Sequence, residues 1–583
     1  MINSLKKNRM LILFLISGLL LCIRSRYGYS FNDEPFIVSL AQRLSYGDAL
    51  IVDEWNTAQN FGAVLLPLYQ LYVAITGSTE GILLAFRLVY SVLWTLTCVA
   101  VYMTLSPKFS GAIICYFYLL LFSPLDQMTL SYTSVALMGC ILISCLFVYH
   151  LEVRAFRFGW FTAAYTALAV IAVLSQPYLA AGYVGLSVYF AVAHLVKKTE
   201  SSRFFFRVTL VSCLAAAATA GVYVYLFVLS KHTLAEVLLN VENMFTGTKY
   251  AGSTVFDSVL SYLQAIVTHY RANLIALAVS VCMICIPSVR RSPRGKLLLF
   301  LGNAAVFALV LMKQFLDREQ FLFNTQVGPM VFLGIAAYLL LDDKEKYRKL
   351  FWIFAAAGVV YSFCGHLASD TGIFAITMGL MIWGVAGIVC IAELYRKQLD
   401  EAAASAGGTV WRRTAAIAVA AVFVVQLGFQ AFLKIDRHYW DESIIYTRTS
   451  VACGAARGIK TTRQRAEEHK VKYSILVDLL ENVSREQKEK IRFVSLIPDP
   501  VQYLDADLPV GAFSTWTFAD SDEKLTERLN RYYSVNPDNV PNVIFYTEGS
   551  AILEGLQLNT SDFELFSERE YCLLVHPDLV KSK

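Results

Sequence analysis

Two adjacent carboxylates, Asp33 and Glu34, follow closely on the first apolar run of the chain, Met10 to Ile23. Carboxylates at the edge of such a run are expensive to desolvate, so each must face water, a cation or a reacting group. The same residues also fit a structural reading. Asn32 and Asp33 can cap a helix whose first turn contains Pro35, with Glu34 complementing its dipole. No other cluster announces chemistry as openly. The twelve cysteines are scattered, mostly within apolar segments and never as C-x-x-C, which fits small apolar residues better than ligands. Cys453 and Cys572 lie in the polar tail, where spacing leaves their pairing open. No metal-ligand cluster stands out, and a net charge of +5 without a basic run gives nucleic acid no footprint.

The elements that must position Asp33 and Glu34 are set by a solvent other than water. Of 583 residues, 56% are hydrophobic and 16% charged, with mean hydropathy +0.52; soluble domains carry about 25% charged residues. The apolar residues form thirteen blocks of span length, near 10–23, 82–104, 110–124, 132–150, 158–175, 178–196, 206–229, 258–287, 297–313, 321–341, 350–367, 371–394 and 414–434. The first has the length of a signal-peptide core, but Arg24 and Arg26 follow where small residues would mark cleavage, so it is expected to remain as a span. The fold class predicted is therefore a polytopic α-helical membrane protein, with a membrane domain over 1–435 and a small extracytoplasmic α/β domain over 436–583. Within the loop 24–80, Phe36, Ile37, Leu40, Ala41 and Leu44 share one helical face, which predicts an interfacial helix ended by Gly47. Ala63 to Ile75, which contains Pro67 and is only marginally long for a span, reads as a second surface or re-entrant helix. In the tail, 472–479, 492–498, 543–547 and 570–576 read as strands, and 459–469, 484–491 and 521–533 as helices. Asp53-Glu54 reads as plain surface charge.

The stretch FNDEPFIVSLAQRLSYGDALIVDEW, followed by LLPLYQLYVAITGSTEGILLAFRLVYSVL, resembles the first outer loop of the GT-C glycosyltransferases. The resemblance is strongest to the branch of protein O-mannosyltransferases and aminoarabinose transferases. It rests on Asp33-Glu34, Ala41, Leu44, Gly47-Asp48, Pro67-Leu68-Tyr69, Gly77 and Arg87-Leu88, in that order, over about the first hundred residues. It implies transfer of a sugar from a polyprenyl-phosphate donor to a glycan, lipid or protein acceptor, with inversion, Asp33 acting as general base beside Glu34. It also implies that an acid in the loop after the third span, here Asp126, helps form the site. Cations at the outer ends of spans would hold the donor phosphate: Arg271 at the opening of the eighth, then Lys313 and Arg318 around the loop after the ninth. His366 and Asp370 are weaker candidates, and Arg87 suits packing against a buried acid. The lysine of the aminoarabinose transferases' Glu-Lys-Pro-Pro element is missing, since Gln59-Asn60-Phe61-Gly62 stand nearby. A different sugar, or a different cation at the phosphate, is implied; a divalent metal is possible but nothing indicates one.

Three other classes remain open: a polysaccharide polymerase or ligase, a transporter or flippase for lipid-linked substrates, and a sensor. Few ionisable residues fall near mid-span, where a transporter would place them. The orientation can be tested directly. Short loops gather Arg and Lys alternately, including Arg290, Arg291, Arg294 and Lys296 between the eighth and ninth spans. A reporter fused after Lys583 is expected on the extracytoplasmic side and one inserted in 287–296 in the cytoplasm. A cytoplasmic report from the tail would reverse the assignment.

Overall fold

The computed structural model describes all residues except 1, 31, 125–126, 246–254, 317–324, 369–371, 404–408, 437–438, 440, 485, 487, 518–520 and 582–583. Among the described residues, ten helices between Ile82 and Asp436 are long and apolar enough to cross a membrane, and the chain is a multi-pass membrane protein. The first expected span is the helix Ile2–Arg24. The remaining two expected spans are shorter than read. The tenth is the fourteen-residue helix Val327–Leu340. The third is the nine-residue helix Ala112–Leu120, about 14 Å long and roughly half the hydrocarbon thickness. Beyond it the backbone leaves the helix, which hydrocarbon tolerates only inside protein. Lys434 Nζ accordingly donates to Phe122 O (3.0 Å), and Ser131 caps the next helix, Tyr132–Val148, through a capping box with Ser134.

The bundle is built around the helix Ile373–Ala403, whose most apolar window is 89% buried. It packs on Val327–Leu340 and Lys344–Ala368 almost backbone to backbone. The contacts are paired glycines, Gly334 with Gly387 and Gly358 with Gly379; a Cβ on Gly358 would lie 2.7 Å from Gly379 O. Small residues permit this approach where lipid offers no hydrophobic drive between helices. The two ends of the bundle are distinct. At one, Lys108 and Lys349 both reach Glu152 (3.3 and 3.0 Å), and the Ser110 N–H donates to Glu393 (2.9 Å). At the other, the end of Ile2–Arg24 meets the C-terminal region.

That region contains a four-stranded sheet in the order Phe493–Ser495, Val543–Thr547, Tyr571–Val575, Glu564–Glu568. The first pair is parallel (Val494 opposite Ile544) and the others antiparallel (Phe545 and Phe566 each opposite Leu573). Three of the four expected strands are present. The fourth, 472–479, is instead the second half of a helix, Arg463–Leu480, capped by Thr462. Its buried residues Ile475, Leu476, Leu479 and Leu480 sit at helical spacing that a continuous apolar run disguises. The expected helix 484–491 reduces to the short turn Lys488–Lys490, whereas that at 521–533 stands as Asp522–Val535. Cys453 and Cys572 are both free thiols.

The largest departure from expectation lies in the loop 24–80. Its first helix, Asp33–Ser45, does not lie on the interface with one face in water. It is buried from Glu34 to Arg43, because the C-terminal region covers its polar side. Gln42 Nε2 donates to Tyr503 O (3.0 Å) and Arg43 Nη1 to Ala512 O (2.8 Å), while the hydroxyls of Ser39 and Thr515 share a hydrogen bond. Asp53 and Glu54, read as surface charge, are buried too. Arg43 reaches Asp48 (2.7 Å), Glu54 (3.0 Å) and the main chain of Asp53. The second helix, Asn60–Thr76, matches the expected surface helix: Leu71 and Ile75 are exposed, and Phe61 and Leu65 pack inward.

Burial alone would lower the Arg43 pKa, but Glu54 and Asp48 hold the guanidinium firmly charged; burial in turn pushes Asp48 up to about 6. Removing one member of such a cluster leaves uncompensated charge in the interior. Arg43→Met should therefore destabilise the protein by about 3–5 kcal/mol, and limited proteolysis should cut the C-terminal region sooner. An unchanged thermal unfolding midpoint would show that the cluster does not hold the two parts together.

Candidate functional site

Asp33 and Glu34 open the helix Asp33–Ser45, and the structure gives them opposite surroundings. Glu34 is fully buried against Arg87, in the first turns of the helix Ile82–Leu105. Arg87 Nε donates to one Glu34 oxygen (2.6 Å) and Nη2 to the other. Its Nη1 donates to the carbonyls of Ser25 (3.0 Å) and Gly28 (2.7 Å). The Tyr439 ring stacks on the guanidinium, 3.6 Å from Cζ, and the Tyr439 hydroxyl donates to Met128 O (3.0 Å). Tyr439 sits at φ +63°, in the left-handed region that non-glycine residues seldom occupy. One ion pair thus joins the turn after the first helix, the start of the next span, the C-terminal region and the loop 127–131. Both Glu34 oxygens are spent on it.

Asp33 makes no ion pair among the described residues. Its carboxylate accepts a hydrogen bond from Gln127 Nε2 (2.7 Å) and another from Trp516, both neutral donors. Burial raises its pKa, and these two bonds oppose the rise without cancelling it. Asn32, the expected cap, makes no side-chain capping bond. Asp33 remains partly exposed, at a seam between the membrane bundle, the loop after Ala112–Leu120 and the C-terminal region. A part-buried carboxylate held by neutral donors can accept a proton from a hydroxyl placed against it.

The other expected site residues are not gathered so clearly. Asp126, Arg318 and Asp370 lie outside the described residues. Arg271 is not at the opening of its span. It lies well inside the helix Val255–Ile284, exposed, next to Tyr270, whose φ −114° and ψ 24° break the regular helix. Lys313 is exposed in the last turn of Pro293–Leu316. His366 hydrogen-bonds Ser261 (2.7 Å). Among the described residues no group of three or more His, Cys, Asp or Glu side chains is placed to hold a metal ion.

Three residues that build the surroundings of Asp33 went unread in the sequence: Gln127 and Trp516, which donate to its carboxylate, and Lys434, which holds the loop leading to Gln127. Gln127 adjoins Asp126 and could have been found by asking what holds Asp33 as well as what assists it. Trp516 is separated from Asp33 by almost the whole chain and carries no local signal. Lys434 ends an apolar helix, the common place for a lysine that extends to the interface. Instead it is buried, donating to Phe122 O and to Ser123 Oγ (2.8 Å), while its carbonyl accepts from Arg24 Nε (2.7 Å). It thereby fixes the root of the loop that carries Gln127.

No family model matches the chain, and no curated protein matches its sequence. Its structure is similar to that of ArnT from Cupriavidus metallidurans, solved bound to undecaprenyl phosphate, with a TM-score of 0.49 and 10% identity over 97% of each chain.

The unequal environments of the two acids give a direct test. Arg87→Met leaves Glu34 buried without its partner and should cost about 3–5 kcal/mol. Adding Glu34→Leu should restore most of that loss, because the uncompensated charge goes with it. Thermal unfolding of the purified variants reads both. Equal stability of Arg87→Met and wild type would remove the ion pair's structural role.

Proposed function

We propose that the chain is an integral membrane glycosyltransferase. It moves a sugar from a polyprenyl-phosphate donor to an acceptor hydroxyl on the face that carries the C-terminal region, taken as extracytoplasmic. The observation that carries this reading is the division of labour at positions 33 and 34. Glu34 is neutralised by Arg87 and holds the turn, which leaves Asp33 as the carboxylate with only neutral hydrogen-bond partners. The first-loop resemblance to GT-C transferases supplies the substrate class.

The reaction needs few parts. The acceptor O–H gives its proton to the Asp33 carboxylate as the oxygen attacks the anomeric carbon. The bond from that carbon to the donor phosphate breaks on the opposite face, so the product is inverted and polyprenyl phosphate departs with the electron pair. Gln127 and Trp516 fix the carboxylate's direction. Arg271 and Lys313 are proposed to meet the phosphate, along with Arg318, and Asp126 to complete the site from the residue next to Gln127. An exposed arginine inside a span fits this role, since charge in hydrocarbon is costly without an anion or water beside it.

A base of raised pKa makes a prediction with a definite sign. Asp33 acts only when deprotonated, so activity should fall as the pH drops through its pKa. The acid limb should stand above the ordinary aspartate range, because burial raises that pKa. Asp33→Asn keeps the size and can still accept from Gln127, but it cannot take the proton. The rate of transfer should fall about 10²–10⁴-fold with little change in thermal unfolding. The measurement is sugar transfer from a polyprenyl-phosphate sugar by purified wild type and variant across pH. A folded Asp33→Asn protein with wild-type turnover would sink the mechanism.

A further inference from the structure

At the end of the bundle opposite Asp33, a groove of about 590 Å³ opens between the helices Tyr132–Val148, Leu179–Lys197, Glu200–Val224 and Lys344–Ala368. Its walls are apolar and face outward: Tyr189 is 59% exposed and Trp352 58%. Helix Leu179–Lys197, which forms one side, has only 6% of its apolar window buried, so protein contacts alone cover little of it. The lining follows Lys344–Ala368 from Arg348 to Val360, about 18 Å at 1.5 Å per residue. That is close to one leaflet, half of a hydrocarbon core about 30 Å thick. The groove closes where Gly182 packs on Val360; a Cβ at 182 would collide with Val360 Cγ1.

The open end is charged. Arg348 and Lys349 line it. Arg348 pairs with Glu345 (2.8 Å) and Lys349 with Glu152 (3.0 Å), yet the two cations remain 57% and 53% exposed. Glu152 is shared with Lys108 (3.3 Å), so two lysines divide one carboxylate and the mouth keeps an excess of positive charge. An apolar slot one leaflet deep, with cations only at its mouth, matches an acyl chain below an anionic headgroup.

We propose that this groove binds one anionic glycerophospholipid from the leaflet on the side away from the C-terminal region. The phosphate sits at Arg348 and Lys349, one acyl chain runs along Trp352 and Ala356 to the Gly182–Val360 contact, and the lipid covers the inner side of Leu179–Lys197. The site is separate from the seam at Asp33 and does not depend on the reaction assigned to it.

The test uses the full-length protein in detergent with equal amounts of phosphatidylglycerol and phosphatidylcholine, counting retained lipids by native mass spectrometry. Wild type should keep phosphatidylglycerol about tenfold over phosphatidylcholine. The double variant Arg348→Gln/Lys349→Gln should bring the ratio to about one. Ala356→Trp fills the slot without altering charge and should abolish the retained lipid; it carries the test if the double variant does not fold. Equal retention of the two lipids by wild type would overturn the proposal, as would a preference that survives both changes. If added undecaprenyl phosphate displaces the phosphatidylglycerol and is itself retained, the groove belongs to an isoprenoid lipid and the assignment falls.

Discussion

The ion pair between Arg87 and Glu34 is the constraint from which the rest of this site follows. A buried carboxylate and a buried guanidinium each cost several kcal/mol to take from water, and only a bidentate pair with its remaining N–H groups satisfied recovers that cost. Here those remaining N–H groups go to the carbonyls of Ser25 and Gly28, in the turn that leaves the first helix. The pair can form only if that turn, the start of the second span and the first turn of Asp33–Ser45 come together. Tyr439 on the guanidinium face then recruits the C-terminal region and, through Met128, the loop that supplies Gln127. Asp33 has its place because Glu34 has no other.

The same logic extends along the first outer loop. Arg43 does for the far end of Asp33–Ser45 what Arg87 does for its start, gathering Asp48, Glu54 and the main chain of Asp53. Asp53 also accepts from Asn539 (2.6 Å) in the C-terminal region and lies 3.8 Å from His232. Burial pushes the Asp53 carboxyl up, but these donors outweigh it and hold the pKa below its usual value. The helix is therefore fastened at both ends by buried charge, and the polar groups between, Ser39 and Gln42, find their partners on the C-terminal side. A soluble layer pressed on a membrane bundle encloses polar groups that neither water nor lipid can serve, and the loop 24–80 carries the residues that resolve the conflict.

This explains which features the sequence revealed and which it hid. Spans are legible because hydrocarbon demands long apolar helices whatever their neighbours. Glycine punctuation at Gly47 acts locally, whereas Pro67 lies inside the helix Asn60–Thr76 without ending it. The strands at 493, 543 and 571 carry their own apolar runs. Asp53 and Glu54 mislead because an acid pair reads as solvated unless its cation is known, and Arg43 reads equally well as a surface residue. The helix Asp33–Ser45 misleads for a related reason: its polar face is real, but the polar medium is protein. Ala112–Leu120 looks like a span because its apolar run continues to Phe122, although the helix stops sooner and buried Lys434 takes over the freed carbonyl. For the two helices the deciding partners, Tyr503 and Lys434, lie far along the chain, and for Glu54 the partner is only eleven residues away but across a turn that periodicity does not describe.

The contrast between Asp33 and Glu34 carries the last step. Neighbouring acids on one helical turn point in different directions, since successive side chains are about 100° apart. One points into the bundle, where Arg87 donates to both of its oxygens. The other points to the seam, where burial raises its pKa while neutral donors keep it oriented. Unlike surroundings for two like groups suit one to structure and leave the other, in the mechanism proposed above, for proton transfer. An Asp-Glu pair after a first span is thus two residues with one fate each, and the arginine fifty-three positions later decides which is which.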